Sequence, residues 1–175
     1  YRDVESINYY NILKEQGESE ADILEILRSK SRDNSRTPIQ WNSEENSGFT
    51  SGTPWIPVAK SYKEINAENA LKDKESIFYH YKKLIDLRKN SEYSDTIIYG
   101  EYKLLLPDDE QIFAYIREDE NYKLLLVANF SEEEVTRAIE GEVNQVILSN
   151  YDATDYNLSS LKLRPYETVI FELKK

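Results

Sequence analysis

Arg32 and Arg36 stand four positions apart in the run RDNSRTPIQW, and the indoles and ring of Trp41, Phe49 and Trp55 follow closely behind. A guanidinium is a planar fork of donors suited to paired oxygens. Aromatic faces can stack on the apolar side of a sugar ring, and Pro38 stiffens the segment between them. These residue types suit a wall that holds a saccharide. Cleaving a glycosidic bond also requires two carboxylates, set about 5 to 5.5 Å apart for retention or about 6.5 to 9.5 Å for inversion. No segment advertises such a pair, so Arg36, and Arg32 with less to support it, are candidate substrate-binding residues, and no catalytic residue is assigned.

Each feature also has a plainer use. Arg36 could hold the loop in an ion pair, and Arg32 could brace it together with its neighbour Asp33. Trp41, Phe49 and Trp55 are expected to serve packing, the commoner fate of large aromatic side chains. Asp3 and Glu5 read as the charged start of a helix. His80, between Tyr79 and Tyr81, reads as a packing or surface residue, and Asp108, Asp109 and Glu110 as a hairpin tip.

Lysines and arginines number 22 against 33 acidic residues, a formal net charge of −11, which opposes binding to nucleic acid or to an anionic membrane. There is no cysteine and one histidine, so disulfides, thiolate metal sites and histidine-based zinc sites are excluded. No calcium-loop spacing is present, and neither a metal nor a cofactor is expected. Apolar runs such as Leu124 to Ala128 are far too short to cross a bilayer, which leads us to expect a soluble, cytoplasmic protein. The start at Tyr1 and the lack of any methionine lead us to expect a piece of a longer chain.

The elements that must position these residues follow from periodicity. Asp3 caps a helix carrying Ile7, Tyr10 and Leu13, stopped by Gly17. Ser19 opens a second helix with Ile23, Ile26 and Leu27, ending near Lys30, where Arg28 and Lys30 complement the helix dipole. From Ser31 to about Ser61 the sequence has no period and reads as a long ordered loop. A helical turn through Leu71 leads to a stronger helix capped by Asp73, with Ile77, Phe78, Tyr81, Leu84 and Ile85 on one face, ending at Lys89 or Asn90. From Ser94 the pattern predicts strands at 97–106, 111–118, 122–129, 134–139, 143–149, 160–163 and 168–173. The strand through Leu124–Val127 lacks alternation and should be central. Tyr99, Tyr102, Phe113 and Tyr115 alternate as core residues would, although a row of exposed rings would instead suit a glucan-binding face.

Six ordered blocks carry a resemblance: YRDVES at 1–6, RDNSRTPIQW at 32–41, GFTSGTPW at 48–55, SIFYHYKKLIDLRK at 76–89, LLVANF at 125–130 and LRPYE at 163–167. Together they resemble the C-terminal third of bacterial α-glucosidases of glycoside hydrolase family 13, in the group of oligo-1,6-glucosidases and trehalose-6-phosphate hydrolases. The wording of 30–38 and 52–66 is closer to the second branch. The resemblance implies an α+β fragment. Residues 1–93 would be helices and a long loop from the end of a (β/α)8 barrel, and 94–175 an all-β antiparallel sandwich. It also implies retaining hydrolysis of α-glucosidic bonds, with the reactive acids on earlier barrel strands. The partners implied are a small saccharide and the missing part of the catalytic barrel, and Arg36 would pair with an upstream aspartate and clamp hydroxyls at the non-reducing end of the bound glucosyl unit. A non-catalytic carbohydrate-binding or bracing module is the alternative of another class.

Overall fold

The computed structural model describes residues 1–152 and 155–175, and the chain divides into two compact units, Tyr1–Tyr79 and His80–Lys175. In the first unit, α1 (Val4–Glu15) begins where the Asp3 carboxylate accepts from the Ser6 N–H, and α2 (Glu20–Lys30) begins where the Ser19 hydroxyl accepts from the Asp22 N–H. Both caps supply an acceptor to a helix end that has no intrahelical partner. Gly17 turns the chain between them at φ 88°, a left-handed backbone that glycine adopts without strain. Leu13, Ile23 and Leu27 close a small core with Tyr10 and Ile26 at its edge.

The long loop is ordered by short 3-10 turns at Arg32–Ser35, Glu45–Gly48 and Lys60–Lys63. Its backbone is tied crosswise: the N–H groups of Trp41 and Asn42 donate to the Ser47 carbonyl, and those of Ala67 and Glu68 to the carbonyls of Gln40 and Trp41. These bonds anchor α3 (Ala67–Lys72) to the loop. Asp73 does not cap the next helix as expected. It ends α3, and its carboxylate accepts from the Glu75 N–H in a turn that precedes α4 (Ile77–Asn90). The apolar side chains Ile77, Phe78, Tyr81 and Ile85 of α4 are exposed.

The second unit is a sandwich, as the sequence leads one to expect. Strands β1 (Glu101–Leu105), β2 (Ile112–Glu118), β3 (Lys123–Asn129), β5 (Val143–Ser149) and β7 (Thr168–Leu173) form an antiparallel sheet in the order β1-β2-β3-β7-β5. Strands β4 (Val135–Arg137) and β6 (Leu161–Leu163) form a second, smaller sheet. The core between them is built from alternate residues: Ile112, Ala114 and Ile116 of β2, Val169, Phe171 and Leu173 of β7, and Val135, Leu161 and Leu163 opposite. The unalternating strand β3 lies at the centre of the larger sheet, with β2 and β7 on either side. β5 lies at the edge, and its register against β7 shifts twice.

The first strand is shorter than expected. Residues 97–99 belong to a helix, α5 (Ser94–Tyr99), and the extended chain begins only after Gly100. Threonine and isoleucines favour strands in isolation, but tertiary bonds decide here. The buried Thr96 hydroxyl donates to Asp119 at 2.6 Å, and the Arg117 guanidinium donates to the carbonyls of Ile97, Ile98 and Gly100 at the helix end. Gly100 is required by space, since a Cβ there would lie 2.4 Å from the Thr96 carbonyl oxygen.

Two ion pairs fasten the loops. In LRPYE, Arg164 grips Glu167 with two nitrogens at 2.7 and 3.0 Å, and the Tyr156 hydroxyl donates to the same carboxylate at 2.7 Å. At the tip after β1, Asp109 accepts from Arg137 and from the N–H groups of Gln111 and Ile112. The Arg137 bonds, working against burial, hold the Asp109 carboxyl down at about 2.

Two predictions follow from this packing. Gly100→Ala should lower stability by roughly 1 to 3 kcal/mol through overpacking, read as a reduced urea midpoint with an unchanged slope. A carboxyl lowered on folding adds stability that is whole above its unfolded value and is lost as pH falls through its folded one. Asp109→Asn should therefore lose less stability than the parent chain between pH ~4 and ~2, measured by urea unfolding at stepped pH.

Candidate functional site

The site lies in the first unit and is organised by buried carboxylates. Asp33 sits at the 3-10 turn that follows α2, and its Oδ2 accepts from the N–H groups of Arg2 and Asp3 at 2.6 and 2.9 Å. The start of the chain is thereby pinned to the RDNSR turn. The Ser6 and Ser31 hydroxyls are hydrogen-bonded at 2.8 Å, a second tie between the same segments. Asn34 donates to the carbonyls of Leu27 and Arg28 at the end of α2, which fixes the turn from its other side.

Pinning brings the arginines together. Asp3 Oδ2 takes the Ser6 N–H and hydroxyl, while Oδ1 faces Arg32 Nη2 at 2.7 Å and Arg36 Nη1 at 3.8 Å. Arg32 also meets Glu5 at 3.2 Å. Burial works against the charge of Asp3, but the Ser6 N–H, Arg32 and the Ser6 hydroxyl outweigh it and hold its carboxyl below the usual range. Asp33 is also held low, first by the Arg2 and Asp3 N–H groups. Its second oxygen, Oδ1, is buried without a hydrogen-bond partner among the described residues.

Beside this cluster opens a groove of about 610 Å³ with Asp33, Thr37, Thr53 and Trp55 in its lining. Trp55 is 62% exposed and Trp41 51%, and Phe49 is exposed as well. The expectation that these rings serve packing is not met among the described residues. The backbones of Trp41 and Phe49 are fixed by loop hydrogen bonds, so these two rings are presented outward on an ordered frame.

Arg32 does not brace the loop with its neighbour Asp33, as their adjacency suggests. Instead Arg32 reaches back to Asp3 and Glu5, and Asp33 holds backbone. Asp3 was read only as a helix cap. It is that, and it is also the shared anion of both arginines. The signal for this lay in a second arginine–aspartate pair, Arg2-Asp3, far from Arg32-Asp33 in sequence.

Arg28 and Lys30 lie in the last turn of α2, with Arg28 paired to Glu25. Among the described residues no group of three or more histidine, aspartate and glutamate side chains is placed to hold a metal ion, and no helix is long and apolar enough to cross a membrane. In the second unit, Tyr102, Tyr115 and Phe113 form a row with ring centroids 5.2 and 5.6 Å apart. Tyr102 and Phe113 are exposed, as is Tyr99. This row is on the outer face of the sheet, because β2 turns Ile112, Ala114 and Ile116 inward, and the expectation that these rings belong to the core is overturned.

Residues 3–100 match the model of the α-amylase catalytic domain, and residues 112–170 that of the C-terminal domain of the α-amylase SusG. The chain belongs to the α-amylase family, glycoside hydrolase family 13.

Within it, the chain is 48% identical to the trehalose-6-phosphate hydrolase of Bacillus subtilis strain 168 over all of its own length and 32% of that protein. It is 42% identical to the oligo-1,6-glucosidase of Bacillus cereus over 99% of its length and 32% of that protein. Among solved structures, the trehalose-6-phosphate hydrolase of Bacillus licheniformis superposes with a TM-score of 0.92 at 50% identity, covering 100% of this chain and 32% of that one. The chain thus spans about a third of the length of these relatives.

Proposed function

We propose that these residues are the C-terminal part of a retaining α-glucosidase that hydrolyses small saccharides, with trehalose 6-phosphate as substrate and glucose and glucose 6-phosphate as products. Residues 1–93 would close its catalytic barrel and 94–175 form its β domain, and the reactive carboxylates would lie outside this chain. The observation that carries the reading is the state of Arg36. Its guanidinium stands 3.8 Å from Asp3, is 45% exposed, and makes no hydrogen bond among the described residues. Its donors remain available for the hydroxyls of a bound glucosyl unit, with Arg32 as a less free second contact. Similarity to trehalose-6-phosphate hydrolases at 48 and 50% against 42% for the oligo-1,6-glucosidase of Bacillus cereus favours the phosphorylated disaccharide over isomalto-oligosaccharides.

The complete protein should hydrolyse trehalose 6-phosphate in preference to isomaltose, and the reverse preference would point to an oligo-1,6-glucosidase. Arg36→Ala should lower its kcat/KM by roughly 10- to 150-fold, the worth of a hydrogen bond to a charged group. The 175-residue chain alone should show no turnover of a nitrophenyl α-glucoside.

The row Tyr102–Tyr115–Phe113 favours a second reading, in which the β unit binds glucan through its outer face. Affinity electrophoresis in a glucan gel should then show retardation of the chain that survives Arg36→Ala and disappears in the Tyr102→Ala, Phe113→Ala double variant. Unretarded migration of the parent chain removes this reading.

A further inference from the structure

We infer that Asp3 is a positioning residue for Arg36, and that Asp33 in turn fixes Asp3 through the backbone. The inference rests on the reading of Arg36 as a sugar-binding residue and extends it to what sets the guanidinium in place.

The two arginines are held differently. Arg32 is gripped by two anions, Asp3 at 2.7 Å and Glu5 at 3.2 Å. Arg36 has one, at a separation too long for a hydrogen bond but within ion-pair reach. Among the described residues nothing else locates its guanidinium. Asp3 therefore attracts Arg36 by charge without using up its donors, a suitable state for a group that must stay oriented and yet bind hydroxyls. An arginine with a full set of internal bonds would have to break them to receive a ligand.

The anchor itself does not drift. The Asp3 side chain is 5% exposed, and its other oxygen is committed to the Ser6 N–H and hydroxyl. Its backbone N–H donates to Asp33 Oδ2, as does that of Arg2. The Arg36 N–H donates to the Asp33 carbonyl at 3.2 Å, so Asp33 holds the main chain of the arginine and of its counter-ion at once. Arg36 is thus fixed at both ends by two aspartates, neither of which needs to touch the substrate.

Asp3→Asn separates this role from helix capping. The amide oxygen can take over the bonds from Ser6, which keeps α1 capped. The amide nitrogen then faces the guanidinia, donor against donor, and the charge is gone. In the complete protein assayed on a nitrophenyl α-glucoside, Asp3→Asn should raise KM and lower kcat/KM about ten- to a hundredfold, the scale of a misplaced binding group, while the thermal midpoint changes little. In an Arg32→Ala background, which removes the other arginine that Asp3 holds, adding Asp3→Asn to Arg36→Ala should cost nothing further, because a misplaced arginine and a missing one cost the same contact. Asp3→Ser, a capping residue too short to reach the arginines, should behave like Asp3→Asn and serves if the asparagine variant does not fold.

Two results overturn the inference with the functional reading intact: an unchanged KM in a folded Asp3 variant while Arg36→Ala is impaired, or losses that multiply when Asp3→Asn is added to Arg36→Ala in the Arg32→Ala background. An Arg36→Ala protein with parental kcat/KM instead defeats the functional reading, and the inference falls with it.

Discussion

A carboxylate taken out of water keeps its charge only if donors converge on it, and this constraint shapes both units of the chain. Asp3, Asp33 and Glu167 are each nine-tenths buried or more. Each accepts from main-chain N–H groups, and Asp3 and Glu167 from side chains as well, so satisfying the charge also fixes the course of the backbone. Asp33 joins the first residues to the turn after α2, and Glu167 joins the turn before β7 to Arg164 and Tyr156. The neighbouring Asn129 works in the same way without charge, its amide reaching the carbonyls of Glu133 and Arg164. The stability of such clusters is poorly measured by counting ion pairs. Their effect is to hold the main-chain segments that donate to them in one arrangement.

In the first unit the same economy separates two otherwise similar side chains. Arg32 and Arg36 carry equal charge and meet the same oxygen, yet Arg32 hydrogen-bonds it at 2.7 Å while Arg36 stands off at 3.8 Å. Arg32 has a further anion in Glu5, in the first turn of α1, at 3.2 Å. A hydrogen-bonded ion pair and a looser one are thus made on one aspartate, the tighter on the arginine that a second carboxylate also reaches.

Much of this was legible in the sequence. Caps at Asp3 and Ser19, the central place of the Leu124–Val127 strand and the antiparallel sandwich follow from local chemistry and periodicity, which the structure does not override. The failures share a cause. Residues 97–99 have strand-forming side chains, but Arg117 and Asp119, distant in sequence, bond the helical form. Trp41, Phe49, Trp55, Tyr102 and Phe113 were read inward because aromatic residues are apolar, whereas the direction of a ring is set by loop and sheet geometry that composition does not contain. The meeting of Asp3 with both arginines needed the two ends of a helical hairpin to come together, and no periodicity reports that. Family resemblance supplied Arg36 as a candidate but was silent on what holds it.

The irregular pairing of β5 has a consequence of its own. An edge strand offers unpaired main-chain groups to any passing chain, and a straight one can template an added strand. Here the register slips between Val143 and Gln145 and again between Val146 and Leu148, which bends the ribbon and breaks the even spacing of its free amides and carbonyls. Asn144 and Gln145 are drawn back onto Glu172 as well. A second molecule could not extend the sheet along this border in step, so crowded copies would have to meet through side chains, and fibrous growth from this side is discouraged by the shape of the strand itself.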